Sequence, residues 1–115
     1  MKTASLGDPL EIRGIRIEGR IAAAPIATAS ADPEGGPTAR SLDIYGRLAR
    51  CGVDLVVVEH HAVCRKGRAR VAQFRLDSDA AGEANRPMAA LFREAGCPAL
   101  VQINHAGSQI RDEAL

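Results

Sequence analysis

The chain has 115 residues, of which 46% are hydrophobic and 25% are charged, and its formal net charge is +1. This length suits one domain with one core, and the composition excludes wholesale disorder. A net charge this small gives no overall field that would attract nucleic acid or an acidic membrane surface. No apolar run approaches the roughly 18 to 20 residues of a membrane span.

The three cysteines, Cys51, Cys64 and Cys97, show no CxxC spacing. An odd, scattered set of this kind does not predict a disulfide framework. The amino terminus, MKTASLGDPLEI, has no continuous apolar segment of the kind that a secretory signal requires. We therefore expect a reducing, cytoplasmic setting.

The first predicted element is a hairpin over residues 10–18, where apolar and charged residues alternate around Gly14. The main fold is expected to begin with a strand over 21–25. Because this stretch is small and uncharged, we predict a central strand, and Pro25 marks its end since it cannot donate to a ladder. Residues 27–37 are rich in Ser, Thr, Asp, Pro and Gly and predict a loop.

Thr38 is predicted to cap a helix that runs to about Cys51, with Gly52 ending it. The almost continuous apolar run over 53–58 predicts a strand that is buried on both faces. A long connection follows over 60–79. We interpret its basic cluster as a solvated loop; the cluster comprises Arg65, Lys66, Arg68 and Arg70.

A second helix is predicted to open at Asn85 or Arg86 with Pro87 and to end at Gly96, and a third strand covers 99–103. Strand, helix, strand, helix, strand is typical of parallel α/β architecture. Each strand runs into a polar or irregular loop. The pattern therefore predicts one functional rim at the carboxyl ends of the strands.

Two interpretations of this rim follow from the residues alone. Glu59, His60, His61 and His105 follow neighbouring strands and are residue types that bind zinc or iron. Adjacent residues of a strand point in opposite directions, so His60 and His61 cannot both face one ion without a turn.

The side-chain amides of Gln102 and Asn104 share one strand face. They either read the edge of a heterocycle or satisfy a loop backbone. Phosphate loops of the GxGxxG or Walker type and a Ser-centred nucleophile elbow are absent.

Four segments stand out in chain order: GRIAAAPIATASAD (19–32), PTARSLDIYGRLARCGVDLVVVEHHAV (37–63), KGRARVAQFRLDSD (66–79) and LVQINHAG (100–107). Together they resemble the N-terminal part of the old yellow enzyme family, the FMN-dependent NAD(P)H:flavin oxidoreductases and ene-reductases. The resemblance implies an α/β fold that is the N-terminal part of a (β/α)8 TIM barrel. Residues 1–115 would form a single partial domain. It would comprise the hairpin, plugging the amino-terminal end of the barrel, and the first three βα units, with strands at about 21–25, 53–58 and 99–103.

The resemblance also implies which residues bind FMN. A small-Pro-apolar segment would run along the isoalloxazine ring, His60 would offer its backbone amide, and Gln102 would reach the pyrimidine edge. The segment comprises Ala24, Pro25, Ile26 and Ala27. Ala27 takes a position, often Thr or Cys in the family, that tunes the flavin, and it brings no hydroxyl or thiol. His60 is bulky where the family is usually small, and Ser108 replaces an Arg that commonly follows HAG.

In the intact protein, NADH or NADPH would pass hydride to FMN, which would pass it to the β-carbon of an activated alkene or a related acceptor. No residue present is assigned a direct catalytic role, and no metal is implied. The expected partner is a small-molecule substrate, neither nucleic acid nor a membrane is expected, and homo-oligomer formation stays open. Two alternatives are a truncated, non-catalytic barrel fragment and a metal-dependent TIM-barrel hydrolase that uses His60 or His61 with His105.

Overall fold

Five strands and three helices make up the structure, a computed structural model that describes residues 3–110. In chain order they are β1 (Leu10–Ile12), β2 (Ile15–Ile17), β3 (Ala22–Ala23), α1 (Ala39–Arg50), β4 (Leu55–Ala62), α2 (Asp79–Ala84), α3 (Arg86–Ala95) and β5 (Ala99–Asn104). Short 3-10 turns lie at Arg65–Gly67 and Gly107–Gln109.

The hairpin is confirmed in its antiparallel pairing, with Ile12 opposite Ile15. Its two turn residues, Arg13 and Gly14, both have positive φ, at 49° and 79°. Two left-handed residues in a two-residue loop match the twist of the flanking strands.

The second sheet is parallel and has the order β3-β4-β5. Ala22 pairs with Leu55 of β4, and Val56 pairs with Ala99 of β5. Helix α1 connects the first two strands, and α2 with α3 connects the last two. The predicted α/β pattern is therefore confirmed.

Strand β3 differs from the prediction in length and in place. It covers Ala22–Ala23 and pairs only with β4, so β4 and not β3 is the central strand of the described sheet. Before it, the Ile21 N–H donates to the Asp54 carboxylate at 2.9 Å. After it, Pro25 has no N–H to continue the ladder.

Strand β4 runs four residues beyond the predicted end at Val58, so the residues from Glu59 to Ala62 lie within the strand. Partners on both sides explain the extension, because His61 and Ala62 still pair with β5 and the Ala62 N–H donates to the Phe74 carbonyl at 2.9 Å. Burial on both faces is wrong for the described chain. Val56 and Val58 are 0% and 1% exposed, whereas Val57 is only half-buried, because helices cover one face.

Both predicted helices are confirmed, and their ends have clear causes. The Thr38 hydroxyl accepts from the Ser41 N–H at 3.2 Å, and the Ser41 hydroxyl accepts from the Thr38 N–H at 2.8 Å, which forms a capping box. Helix α2 was not predicted; Ser78 caps it, and Asn85 both ends it and begins α3.

The core lies between the helices and one face of the parallel sheet. Its buried members are Tyr45, Ala49, Val56, Val58, Phe74, Met88, Phe92 and Cys97. The Tyr45 and Phe92 rings meet edge to face at 6.1 Å between centroids, which joins α1 to α3. The solvated-loop interpretation is wrong at Arg68, which is 3% exposed and donates to the Pro33 carbonyl at 3.0 Å.

Gly96→Ala should lower the free energy of unfolding by about 1 kcal/mol, because Gly96 has φ +64° and a left-handed alanine is strained. No atom lies within 4 Å of the added Cβ, so strain is the only cost. Gly82→Ala, within α2 and equally free of contacts, is the matched control and should raise stability by up to about 1 kcal/mol. Urea unfolding of both variants measures the difference. If the two variants changed the free energy of unfolding in the same direction, strain at Gly96 would not be the cause.

Candidate functional site

The carboxyl ends of β3, β4 and β5 lie side by side because the three strands are parallel and adjacent. The segment from Ala24 to Ala27 directly follows β3, His60 lies near the end of β4, and Gln102 lies in the second half of β5. Pro25 is half-buried, whereas Ile26 is 73% exposed. All six residues that the sequence predicted for the site therefore belong to one edge of one sheet.

A β-bulge brings His60 next to Gln102. Val58 is opposite Val101 and His61 is opposite Ile103, so two residues of β4, Glu59 and His60, stand against Gln102 alone. A bulge of this kind re-aims side chains at the end of a strand.

His60 and Gln102, which face each other at the bulge, differ in the exposure of their polar groups. Gln102 is exposed, and its amide offers both a donor and an acceptor. His60 is half-buried, and its Nε2 is enclosed without a partner among the described residues. Enclosed polar atoms normally have partners, so this nitrogen is an exception among the described residues.

Glu59 is 1% exposed and makes several hydrogen bonds at this edge. Its carboxylate accepts from the Thr28 N–H at 3.0 Å, from the Thr28 hydroxyl, and from the Tyr45 hydroxyl at 3.1 Å. Its own N–H donates to the Tyr45 oxygen at 3.0 Å. Sequence reasoning considered Glu59 as a metal ligand and missed this role. The available signal was a carboxylate directly after an apolar run, since a buried carboxylate requires several donors.

Tyr45 reaches Glu59 from α1, which lies in the helix layer. Burial raises the pKa of the Tyr45 phenol well above its usual range, and the nearby Glu59 carboxylate adds to this. The phenol therefore keeps its proton and remains a donor to Glu59 at any ordinary pH.

The loop after β3 is tied further through two hydroxyls. The Thr28 and Ser30 hydroxyls are hydrogen-bonded to each other, and the Thr38 hydroxyl donates to the Ser30 carbonyl at 2.7 Å. A continuous chain of hydrogen bonds therefore links the start of α1, the loop after β3 and the end of β4.

Gln73 is a second residue that the sequence analysis missed. It is 1% exposed, and its Nε2 donates to the Asn104 side chain at 2.7 Å and reaches the His60 carbonyl at 3.5 Å. Its Oε1 accepts from the Ala69 N–H at 2.7 Å. Gln73 thus joins the bulge of β4 to the end of β5, and it lies in a connection where no periodicity pointed to a buried polar residue.

His61 belongs to the helix side of the sheet. Its Nδ1–H donates to the Glu59 carbonyl at 2.8 Å, and its ring stacks on Phe74 at 4.9 Å between centroids. Over residues 3–110, no group of three or more His, Cys, Asp or Glu side chains is placed to hold a metal ion. The metal-dependent alternative has no support from this arrangement.

The sequence pattern of the NADH:flavin oxidoreductase / NADH oxidase family matches residues 5–115. With an α/β sheet whose polar residues gather at one edge, the chain belongs to this family. It is 33% identical over 103 residues to an NADPH dehydrogenase of Geobacillus, covering 89% of this chain and 30% of that protein. It is also 33% identical over 99 residues to an NADH oxidase of Thermoanaerobacter brockii, covering 85% and 15%.

Solved structures of other proteins contain the same fold as this chain. An old yellow enzyme homologue from Zymomonas mobilis is 25% identical with a TM-score of 0.79, covering 89% of this chain and 28% of that one. Morphinone reductase in complex with tetrahydroNAD is 18% identical with a TM-score of 0.83, covering 98% and 31%. These neighbours are TIM-barrel proteins.

The chain spans about a third or less of the length of the relatives that it matches. None of the helices within residues 3–110 has the length and apolar character needed to cross a membrane.

Stability should fall on acidification because of His61. Burial lowers the pKa of its imidazole below the ordinary value of 6.5, so the unfolded chain takes up this proton at a higher pH than the folded one. Between those two values the unfolded state binds more protons, and the free energy of unfolding decreases as the pH falls below about 6.5. His61→Gln, which has no proton to gain, should flatten this part of the pH profile in urea unfolding.

His105→Gln removes an exposed histidine and serves as the control, which should retain the loss of stability. An unchanged slope in His61→Gln would contradict the assignment of the acid sensitivity to His61.

Proposed function

We propose that this chain supplies the flavin-contacting first part of an FMN-dependent NAD(P)H oxidoreductase of the old yellow enzyme type. The observation that carries the proposal is the juxtaposition at one sheet edge of the segment after β3, His60 and Gln102. Family membership gives this juxtaposition its meaning.

We further propose that β3, β4 and β5 are the first three strands of the barrel, that residues 1–115 form one partial domain, and that the hairpin closes the amino-terminal end. Strands that follow one another in space as they do in the chain, with helices between them, are what a (β/α)8 barrel requires. On the outer strand β5, Leu100 and Ile103 are 52% and 64% exposed. Apolar grooves of about 590 and 460 Å³ flank the described sheet along β3 with α1 and along β5 with α3. Neighbouring units of a closed barrel would cover such surfaces.

The residues at the edge fit the isoalloxazine of FMN. Gln102 offers the donor and acceptor that match a pyrimidine edge, and His60 lies opposite it at the bulge. The segment from Ala24 to Ala27 presents small and apolar atoms suited to a flat ring. Ala27, which has no polar side-chain atom, would leave tuning of the flavin to backbone groups.

FMN, when bound, supplies hydride transfer from NADH or NADPH to the β-carbon of an activated alkene or a related acceptor. The residues described here would bind and orient the ring, and none of them is assigned a proton-transfer role. Relatives named as an NADPH dehydrogenase and, in Vibrio harveyi, an NADH:acrylate oxidoreductase support a small-molecule acceptor of this class. We propose further that the protein is cytoplasmic and has neither nucleic-acid nor membrane partners. The intact protein is free to form homo-oligomers.

Gln102→Glu should weaken FMN binding about 10- to 100-fold, since the variant keeps the size of the side chain but loses its amide donor. The measurement is a titration of the protein, expressed from its natural reading frame, with FMN followed by visible absorption and flavin fluorescence. Gln109→Glu makes the same change at an exposed glutamine of the following 3-10 turn and should leave the affinity within about twofold. Failure of the unmodified protein to bind FMN would overturn the proposed function.

A further inference from the structure

We infer that Glu59 is a positioning residue for the proposed flavin site, holding the loop after β3 and the bulge of β4 at a fixed spacing through Thr28 and Tyr45. The inference rests on the proposed function. It concerns a buried side chain that does not itself reach the ring, so its effect on the flavin would pass through the backbone at Ala27 and His60.

On one side, Glu59 fixes the peptide group that links Ala27 to Thr28. Each carboxylate oxygen accepts a hydrogen bond from Thr28: Oε2 from its N–H at 3.0 Å and Oε1 from its hydroxyl. Two hydrogen bonds from one residue to one carboxylate set both the position and the rotation of that peptide. Ala27 is the residue proposed to take the position that tunes the flavin, and the orientation of its backbone depends on Glu59.

On the other side, Glu59 immediately precedes His60 and is held against α1. The Glu59 N–H donates to the Tyr45 oxygen at 3.0 Å, and the Tyr45 hydroxyl returns a hydrogen bond to Oε1 at 3.1 Å. Glu59 is 1% and Tyr45 is 2% exposed, so water does not compete for these groups. The carboxylate is therefore held in one position. Because Glu59 and His60 are adjacent in the bulge, the backbone at His60 is held with it.

The backbone of the loop carries a further sign of constraint. Ala29 has φ +50°, a left-handed conformation that a non-glycine residue adopts only when its surroundings impose it. Its two neighbours, Thr28 and Ser30, are both members of the hydrogen-bonded chain. The network thus holds the loop away from its relaxed conformation, which is what a positioning role requires.

The test compares Thr28→Val with Thr28→Ser in the protein expressed from its natural reading frame. Valine has nearly the shape of threonine without the hydroxyl, whereas serine keeps the hydroxyl. We expect Thr28→Val to weaken FMN binding about tenfold and to shift the absorption bands and midpoint potential of the bound flavin. We expect Thr28→Ser to keep the affinity for FMN within about twofold of that of the unmodified protein and to leave the flavin spectrum unchanged. Tyr45→Phe removes the other hydroxyl and should act as Thr28→Val does, so it replaces that variant if Thr28→Val does not fold.

Cys97→Ala is the structural control because Cys97 lies in the core just before the amino end of β5. It should lower the urea midpoint while leaving the flavin spectrum and potential unchanged. Thr28→Val with the spectrum, potential and affinity of the unmodified protein would overturn the inference while the proposed function stands. A spectral shift in Cys97→Ala equal to that in Thr28→Val would also overturn it, since the effect would then be general destabilisation. Absence of flavin binding in the unmodified protein would instead overturn the proposed function.

Discussion

The arrangement of the sheet edge depends on one buried carboxylate. A carboxylate removed from water is costly unless several donors surround it, and Glu59 obtains them from the loop after β3 and from α1. Satisfying Glu59 therefore forces three separate parts of the chain together. Its hydrogen bonds hold Thr28 of the loop and Tyr45 of α1, and Glu59 is itself one of the two β4 residues that stand opposite Gln102 at the bulge.

The first half of β4 is held mainly by apolar packing, and its second half by hydrogen bonds to polar partners. In its first half, Val56 and Val58 contribute to the core beneath the helices. In its second half, the strand stays paired with β5, and polar partners from the connection after it, Gln73 and the Phe74 backbone, add further hydrogen bonds. The result is a strand that begins in a dry core and ends at a polar edge. This gradient is what places binding residues at the carboxyl ends of parallel strands.

Local patterns predicted the elements whose causes are local. The capping box at Thr38, the left-handed Gly96 and the hairpin turn at Gly14 all act within a few residues, so their signals can be read directly. The extension of β4, the edge position of β3 and the burial of Arg68 depend on residues 12 or more positions away. No periodicity records such partners, and the length of β4 was underestimated for that reason.

The same distinction applies to the site. The segment after β3, His60 and Gln102 were named from motifs, and their gathering at one edge follows from parallel strands. Glu59 was considered only within the metal alternative because its partners, Thr28 and Tyr45, lie 31 and 14 positions away in the chain. Gln73 gave no signal because its role is defined only by the positions of β4 and β5.

The most direct measurement is a crystal structure of the protein, expressed from its natural reading frame, with FMN bound. We predict that the isoalloxazine lies across the carboxyl ends of β3, β4 and β5, with its pyrimidine edge within hydrogen-bond distance of the Gln102 amide and Ala27 beside the ring. A flavin bound elsewhere, or one that makes no contact with these strand ends, would contradict it.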